Sequence, residues 1–268
     1  MYPADTVTAY YMFLVEFDIA PWVHYIWIPI GVWQAIWITY SLVNLCRRDA
    51  QTGYAMYFAP GSIPLSTYGT YTCALVSQVC SQAALSNGIL NLSFTFDLVT
   101  ALTLFFSIYF SSRRLQADTA ALNQTGRSGQ VMLTRGLVHN GIGLYAGWAD
   151  FMVFLKLGKL LVFYGKVDDA TAGGVCLILY AFYLTVRLAI DMTLWDAMIR
   201  HLLTPYVTSV GAMVGVLTQN FDADHPTTLH YIIATVLGVV IMLAVFRIVE
   251  MGIRNRKDNK RAKSRNMK

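Results

Sequence analysis

Asp97 and Asp150 are carboxylates set inside long apolar stretches, and this placement marks them as the first candidates for chemistry. An ionisable group at membrane depth costs about 2.5 to 3.5 kcal/mol on insertion scales, so it must face other protein groups, water or a ligand. The separation of eleven residues from His139 to Asp150 makes close to three helical turns, which puts both on one helix face. Asp97, His139, Asn140 and Asp150 therefore form a candidate proton or ion path, with hydrogen bonds that tie helices together as the plainer reading. Lys156 and Lys159 are in reach of Asp150, but their long stems favour snorkelling to the membrane interface. Arg187 and Asp191, four residues apart, predict a local ion pair.

Aromatic residues give the second set of candidates. Trp22, Trp27 and Trp195 fall near the ends of apolar stretches, as membrane-interface belts do, whereas Trp33, Trp37 and Trp148 lie deeper. Those three either pack as core or floor an apolar ligand cavity. Signatures of enzymes are missing: there is no phosphate-binding glycine loop, His-Glu-x-x-His, zinc-spaced cysteine pair or Gly-x-Ser-x-Gly. The expectation is a protein that is not an enzyme and uses no cofactor. His225 and His230, with Asp222 and Asp224, offer at most a weak divalent site, and no metal is assigned.

The elements that must hold these residues follow from composition. With 56% hydrophobic and only 13% charged residues, the chain of 268 residues is of the integral membrane class. A crossing needs about 20 apolar residues, and seven stretches qualify by eye: 22–45, 65–85, 89–110, 131–164, 173–190, 199–217 and 229–251. Arg47 and Arg48, then Arg113, Arg114 and Arg127, then eight basic residues from Arg254 to Lys268 alternate with gaps nearly free of them. The positive-inside rule then predicts a seven-helix transmembrane bundle with the N-terminus outside and the C-terminus cytoplasmic, in the plasma membrane or an endomembrane. Residues 1–252 form the bundle and 253–268 a disordered basic tail lying against anionic lipid headgroups. The net charge of +5 comes largely from that tail, so nucleic acid is discounted as a partner.

Local signals refine this picture. Pro21 opens the first stretch, Pro60 and Pro64 precede the second, and Ser86 to Gly88 demands a tight hairpin. The segment 111–130 is polar and basic and is expected as a loop. The stretch 131–164 would extend about 51 Å as a helix, so it must tilt or project from the membrane. Met1 to Ala20 lacks the basic start of a cleavable signal peptide. Gly143 with Gly147, and Gly211 with Gly215, have the spacing of close helix contacts, inside one chain or in a homodimer.

Receptor and retinal-protein topologies share the seven-span pattern, but Phe110 to Arg114 is not Asp-Arg-Tyr and the last stretch has no lysine for a Schiff base. The run Tyr145-Ala146-Gly147-Trp148-Ala149-Asp150-Phe151-Met152-Val153-Phe154-Leu155-Lys156 resembles the last-helix pattern of the tryptophan-rich sensory protein and translocator protein (TspO/MBR-like) family. Tyr145, Trp148, Phe151 and Leu155 match that pattern, while Met152 and Lys156 replace an alanine and an asparagine. Arg135 to Gly141 and Asn220 to Asp222 are similar to features of seven-span animal proteins distantly related to the family. The resemblance implies an apolar pocket for a porphyrin-like or sterol-like ligand, lined by Tyr145, Trp148 and Phe151.

The resulting expectation is a multi-pass protein, surrounded by membrane lipid, that binds a small apolar or amphipathic ligand within its bundle. Trp33, Trp37, Tyr145, Trp148 and Phe151 are the expected ligand-binding residues. A proton- or ion-coupled transporter working through Asp97 and Asp150, and a receptor-like signalling protein, are the rivals.

Overall fold

The computed structural model describes residues 13–48, 53, 63–222 and 224–266, from 258 onward as backbone only; Pro60 lies outside them. The regular elements are helical. A 3-10 turn, Pro21–Ile26, places its proline where no backbone donor is needed and leads into α1, Trp27–Cys46. Helices α2, Leu65–Ser86, and α3, Leu90–Gln124, form a tight antiparallel pair. Gly88 turns the chain between them at φ +73°, a conformation that costs glycine little.

Next comes an interrupted helix: α4, Ser128–Leu133, a π turn, Thr134–His139, and α5, Asn140–Phe163. Helix α6, Asp169–Thr193, is capped by Asp168, whose carboxylate accepts from Thr171 N at 3.1 Å. The short α7, Asp196–Ile199, leads to α8, Thr204–Asn220, and the chain runs out through α9, Thr228–Asn266.

Among the described residues, four helices are long and apolar enough to cross a membrane: Pro21–Cys46, Leu90–Gln124, Asp169–Thr193 and Thr228–Lys257. The chain is thus a multi-pass, membrane-associated helical protein, and the expected seven-span bundle is corrected. The reason lies in the other three stretches. Helix α5 carries Asp150, Lys156 and Lys159, α2 is rich in serine, threonine and glutamine, and α8 has only 17 residues. The inside and outside assignment depended on seven crossings and is withdrawn with them.

Two loops expected from the sequence are helical instead. The segment after 110 continues α3 to Gln124, supported by the ion pair Arg114 Nε to Asp118 Oδ2 at 2.8 Å and by Leu115 and Leu122 packing on Val131. The basic tail continues α9 to Asn266 and is not a disordered segment.

Helix α5 lies at the centre, packed against α1, α3, α6 and α8, and most of its residues from Gly141 to Phe151 are buried. Its glycines allow that enclosure. A Cβ on Gly147 would meet the Pro205 carbonyl oxygen of α8 at 2.6 Å, and one on Gly143 would meet Leu202 and Thr204. Both glycines therefore serve contacts within the chain. Gly215 approaches Val23 in the same way, while Gly211 has open space. Phe17, from the segment before Pro21, fills the notch left by Gly158 and Gly173.

Candidate functional site

The ionic groups of α5 fall into two environments. Toward its C-terminal half, Lys156 and Lys159 do not snorkel; both are buried. Lys156 Nζ lies 2.6 Å from Asp97 Oδ2 of α3 and donates to Ser81 Oγ at 2.8 Å and Ser93 Oγ at 2.6 Å. Both Asp97 oxygens are buried without an aligned hydrogen-bond donor, so charge at short range holds this pair. One turn on, Lys159 Nζ donates to Asp18 Oδ2 at 2.6 Å, and Asn220 Nδ2 secures the Asp18 carbonyl at 2.7 Å. A void beside the two lysines measures about 20 Å³, room for a single water.

Asp150 faces a different setting. Its partner is Arg187 of α6, which also donates to Tyr183 Oη at 3.3 Å; the expected Arg187–Asp191 pairing gives way to this one. Asp191 instead accepts from Tyr206 Oη at 2.7 Å. Helices α3 and α6 both pack on α5, yet their backbones do not approach each other. Between them opens a cleft of about 430 Å³, walled by Leu98, Ala101, Leu102, Phe105, Val153, Phe154, Val186, Ile190 and Trp195, with Asp150, Tyr183, Arg187 and Asp191 as its polar part. Leu98, Leu102 and Val186 are each at least 40% exposed, so the mouth of the cleft is apolar. A void of about 20 Å³ shares the walls Phe105, Arg187, Asp191 and Trp195 and reaches Ser112, whose buried hydroxyl has no partner. This combination, an apolar groove with a few converging polar groups, suits a small amphipathic molecule.

The residues expected to bind ligand occupy the core and do not line the cleft. Trp37, Tyr145, Trp148 and Phe151 are almost wholly buried in one cluster, with Trp148 against Trp27 and Phe151, and Trp37 edge-on to Tyr71 at 4.9 Å. Trp33 and Trp37 straddle Gly141, where a Cβ would approach Trp33 to 2.8 Å. Their indoles are committed to hydrogen bonds. Trp33 Nε1 donates to Leu137 O at 3.1 Å, inside the π turn, and Trp37 Nε1 donates to Gln34, which in turn donates to Gly141 O at 2.8 Å. A π turn shifts the backbone ladder by one residue, and side chains of α1 supply donors to carbonyls there.

The expected polar path is likewise split. His139 Nε2 meets Ser111 Oγ at 3.0 Å, linking the π turn to α3. Asn140 knits the α7–α8 link, donating to Arg135 O and His201 O at 2.9 Å and accepting from Leu203 N at 3.1 Å. Asp97 sits in the sealed lysine pair, and Asp150 alone of the four reaches the cleft. Sequence reasoning missed Tyr183 and Arg187 as partners of Asp150, although Tyr183, Arg187 and Asp191 recur every four residues on one face of α6. His225 Nδ1 lies 3.6 Å from Asp222 Oδ2 with both side chains exposed, and among the described residues no three metal-ligand side chains gather.

Compared with known proteins, the chain finds no match: no family model, no curated protein and no solved structure matches it. The seven-span assignment is corrected by the four apolar helices, and no family model supports the translocator-like one.

Proposed function

We propose that this protein binds a small amphipathic molecule drawn sideways from the bilayer, in the cleft between α3, α5 and α6. The observation that carries the reading is the cleft of about 430 Å³, apolar at its mouth and ending on the Asp150–Arg187 pair. An apolar body displaces lipid contact along Leu98, Leu102 and Val186, at about 25 cal/mol per Å² of surface covered. A hydroxyl or amine finds acceptors in Asp150 and Asp191, and an acidic group finds Arg187. Orientation then comes from the polar end and affinity from the apolar one.

Native mass spectrometry of the full chain purified in mild detergent tests this. A retained small molecule is expected in the wild-type protein and is expected to be absent from Leu102→Trp, whose indole fills the groove. Equal retention by both proteins overturns the reading.

A further inference from the structure

A second pocket, of about 440 Å³, opens at the arginine-rich end of the helices and is unrelated to the cleft. The end of α3 contributes Thr119 and Asn123, α4 contributes Ser128, the π turn contributes Arg135, and Asn140 and His201 complete the polar lining. No carboxylate is among its walls. Neighbouring arginines are matched by acids: Arg200 with Asp196 at 2.6 Å, Arg254 with Asp196 at 2.9 Å, and Arg247 with Glu250 at 3.2 Å. Arg135 differs. Among the described residues it forms no ion pair; Nη1 donates to His201 Nε2 at 3.2 Å, and its buried Nε has no hydrogen-bond partner.

The geometry points to a phosphate-binding site here, in which the Arg135 guanidinium takes the charge and the hydroxyls of Ser128 and Thr119 and the amide of Asn123 stand within the same pocket for further oxygens. Arginine presents a planar fork of donors that suits tetrahedral oxyanions, and a half-buried guanidinium with no carboxylate beside it gains from an anion. Because His201 accepts from Arg135, it holds its proton on Nδ1 and is neutral. Burial, and then the charges of Arg135 and Arg200, push its imidazolium form to lower pH. The positive charge of the pocket is therefore that of Arg135.

The phosphate can be free or part of a lipid headgroup. Met132, which lines the mouth and is 72% exposed, places an apolar surface beside the charged one, as a headgroup with attached chains requires.

The test uses the full chain in detergent and native mass spectrometry, with dioctanoyl phosphatidic acid, dioctanoyl glycerol and inorganic phosphate as separate probes. Two variants accompany it. Arg135→Gln removes the fork, and Gly136→Glu adds an acid at a position where a Cβ meets nothing within 4 Å, so folding is undisturbed. Saturable binding of phosphatidic acid, weakened at least tenfold in both variants and missing for dioctanoyl glycerol, is the expected result. If inorganic phosphate binds with the same dependence on Arg135, the site is one for free phosphate; if it does not, the site reads the lipid headgroup. The proposal is overturned if neither phosphatidic acid nor inorganic phosphate binds the wild type, or if the probe that binds is held as tightly by Arg135→Gln or by Gly136→Glu.

Discussion

Helix α5 holds ion pairs in two settings with opposite consequences. At Lys156–Asp97 the charges are sealed among Ser81 and Ser93, beside a void of about 20 Å³ that has room for one water. At Asp150–Arg187 the charges end an open groove of about 430 Å³. Burial of charge alone therefore does not mark a functional site in this molecule. What separates the two is whether neighbouring helices close over the pair, which α2 and α3 do around Lys156 and α3 and α6 do not around Asp150.

The strongest test of that contrast is Lys156→Ala. It strands the Asp97 carboxylate in the core and should cost about 3 to 5 kcal/mol, read as a large fall in melting temperature in detergent. The double change Asp97→Ala with Lys156→Ala should recover part of the loss, because no charge is left unpaired. A single variant that melts like the wild type would mean that the pair is not sealed.

Asp150→Asn is the matching change on the open side. Removing a charge from the hydrogen bond with Arg187 should cost about 1.5 to 3 kcal/mol. Its larger effect should fall on the retained small molecule, whose recovery drops at least tenfold. Loss of stability with full ligand recovery would make this pair structural, like its counterpart.

Steric changes extend the comparison. Gly147→Ala presses a methyl onto the Pro205 backbone and should cost about 1 to 3 kcal/mol through overpacking. Leu102→Trp, in the groove, should stay within about 0.5 kcal/mol of wild type while abolishing ligand retention.

The smallest effect belongs to Asp196, outside the apolar helices. Burial raises its carboxyl, but hydrogen bonds from Arg200 and Arg254, and then their charges, hold it below the usual aspartate value. A depressed folded-state value means that the pair stabilises above the unfolded value, about 3.9, and that this is lost as pH falls through the lower folded one. Asp196→Asn should cost within about 1 kcal/mol at neutral pH and nothing once the pH is below the depressed folded-state value, checked by melting across an acid series.

Local punctuation was legible in the sequence. Pro21, the Asn87-Gly88 turn and the small-residue pair Gly143 and Gly147 all mark features that the fold uses. Charge pairing was not legible. Spacing favoured Arg187 with Asp191, since helical neighbours four apart are all that a linear pattern can show, whereas Arg187 reaches Asp150 across two helices and Lys156 reaches Asp97. The count of crossings failed for a related reason. An apolar stretch reads alike whether lipid or protein surrounds it, and α5 keeps two lysines and an aspartate because helices, and not lipid, enclose it. Polar composition after 110 likewise suggested a loop, but Leu115 and Leu122 supply the single apolar stripe that α3 needs in order to continue.

The π turn at Thr134–His139 gives this stretch a tolerance to chain length. It closes over one residue more than an α turn would and so takes up that residue within a single wide turn. An extra residue in an unbroken α-helix would rotate everything beyond it by about 100°, whereas the wide turn keeps α4 in phase with α5. Val131 thereby stays on Leu115 and Leu122, and Ser128 stays in the pocket that contains Arg135. Deleting a single residue between Thr134 and His139 should restore a regular helix without turning α4 off its partners, so the wide turn acts as slack in a helix that elsewhere has none.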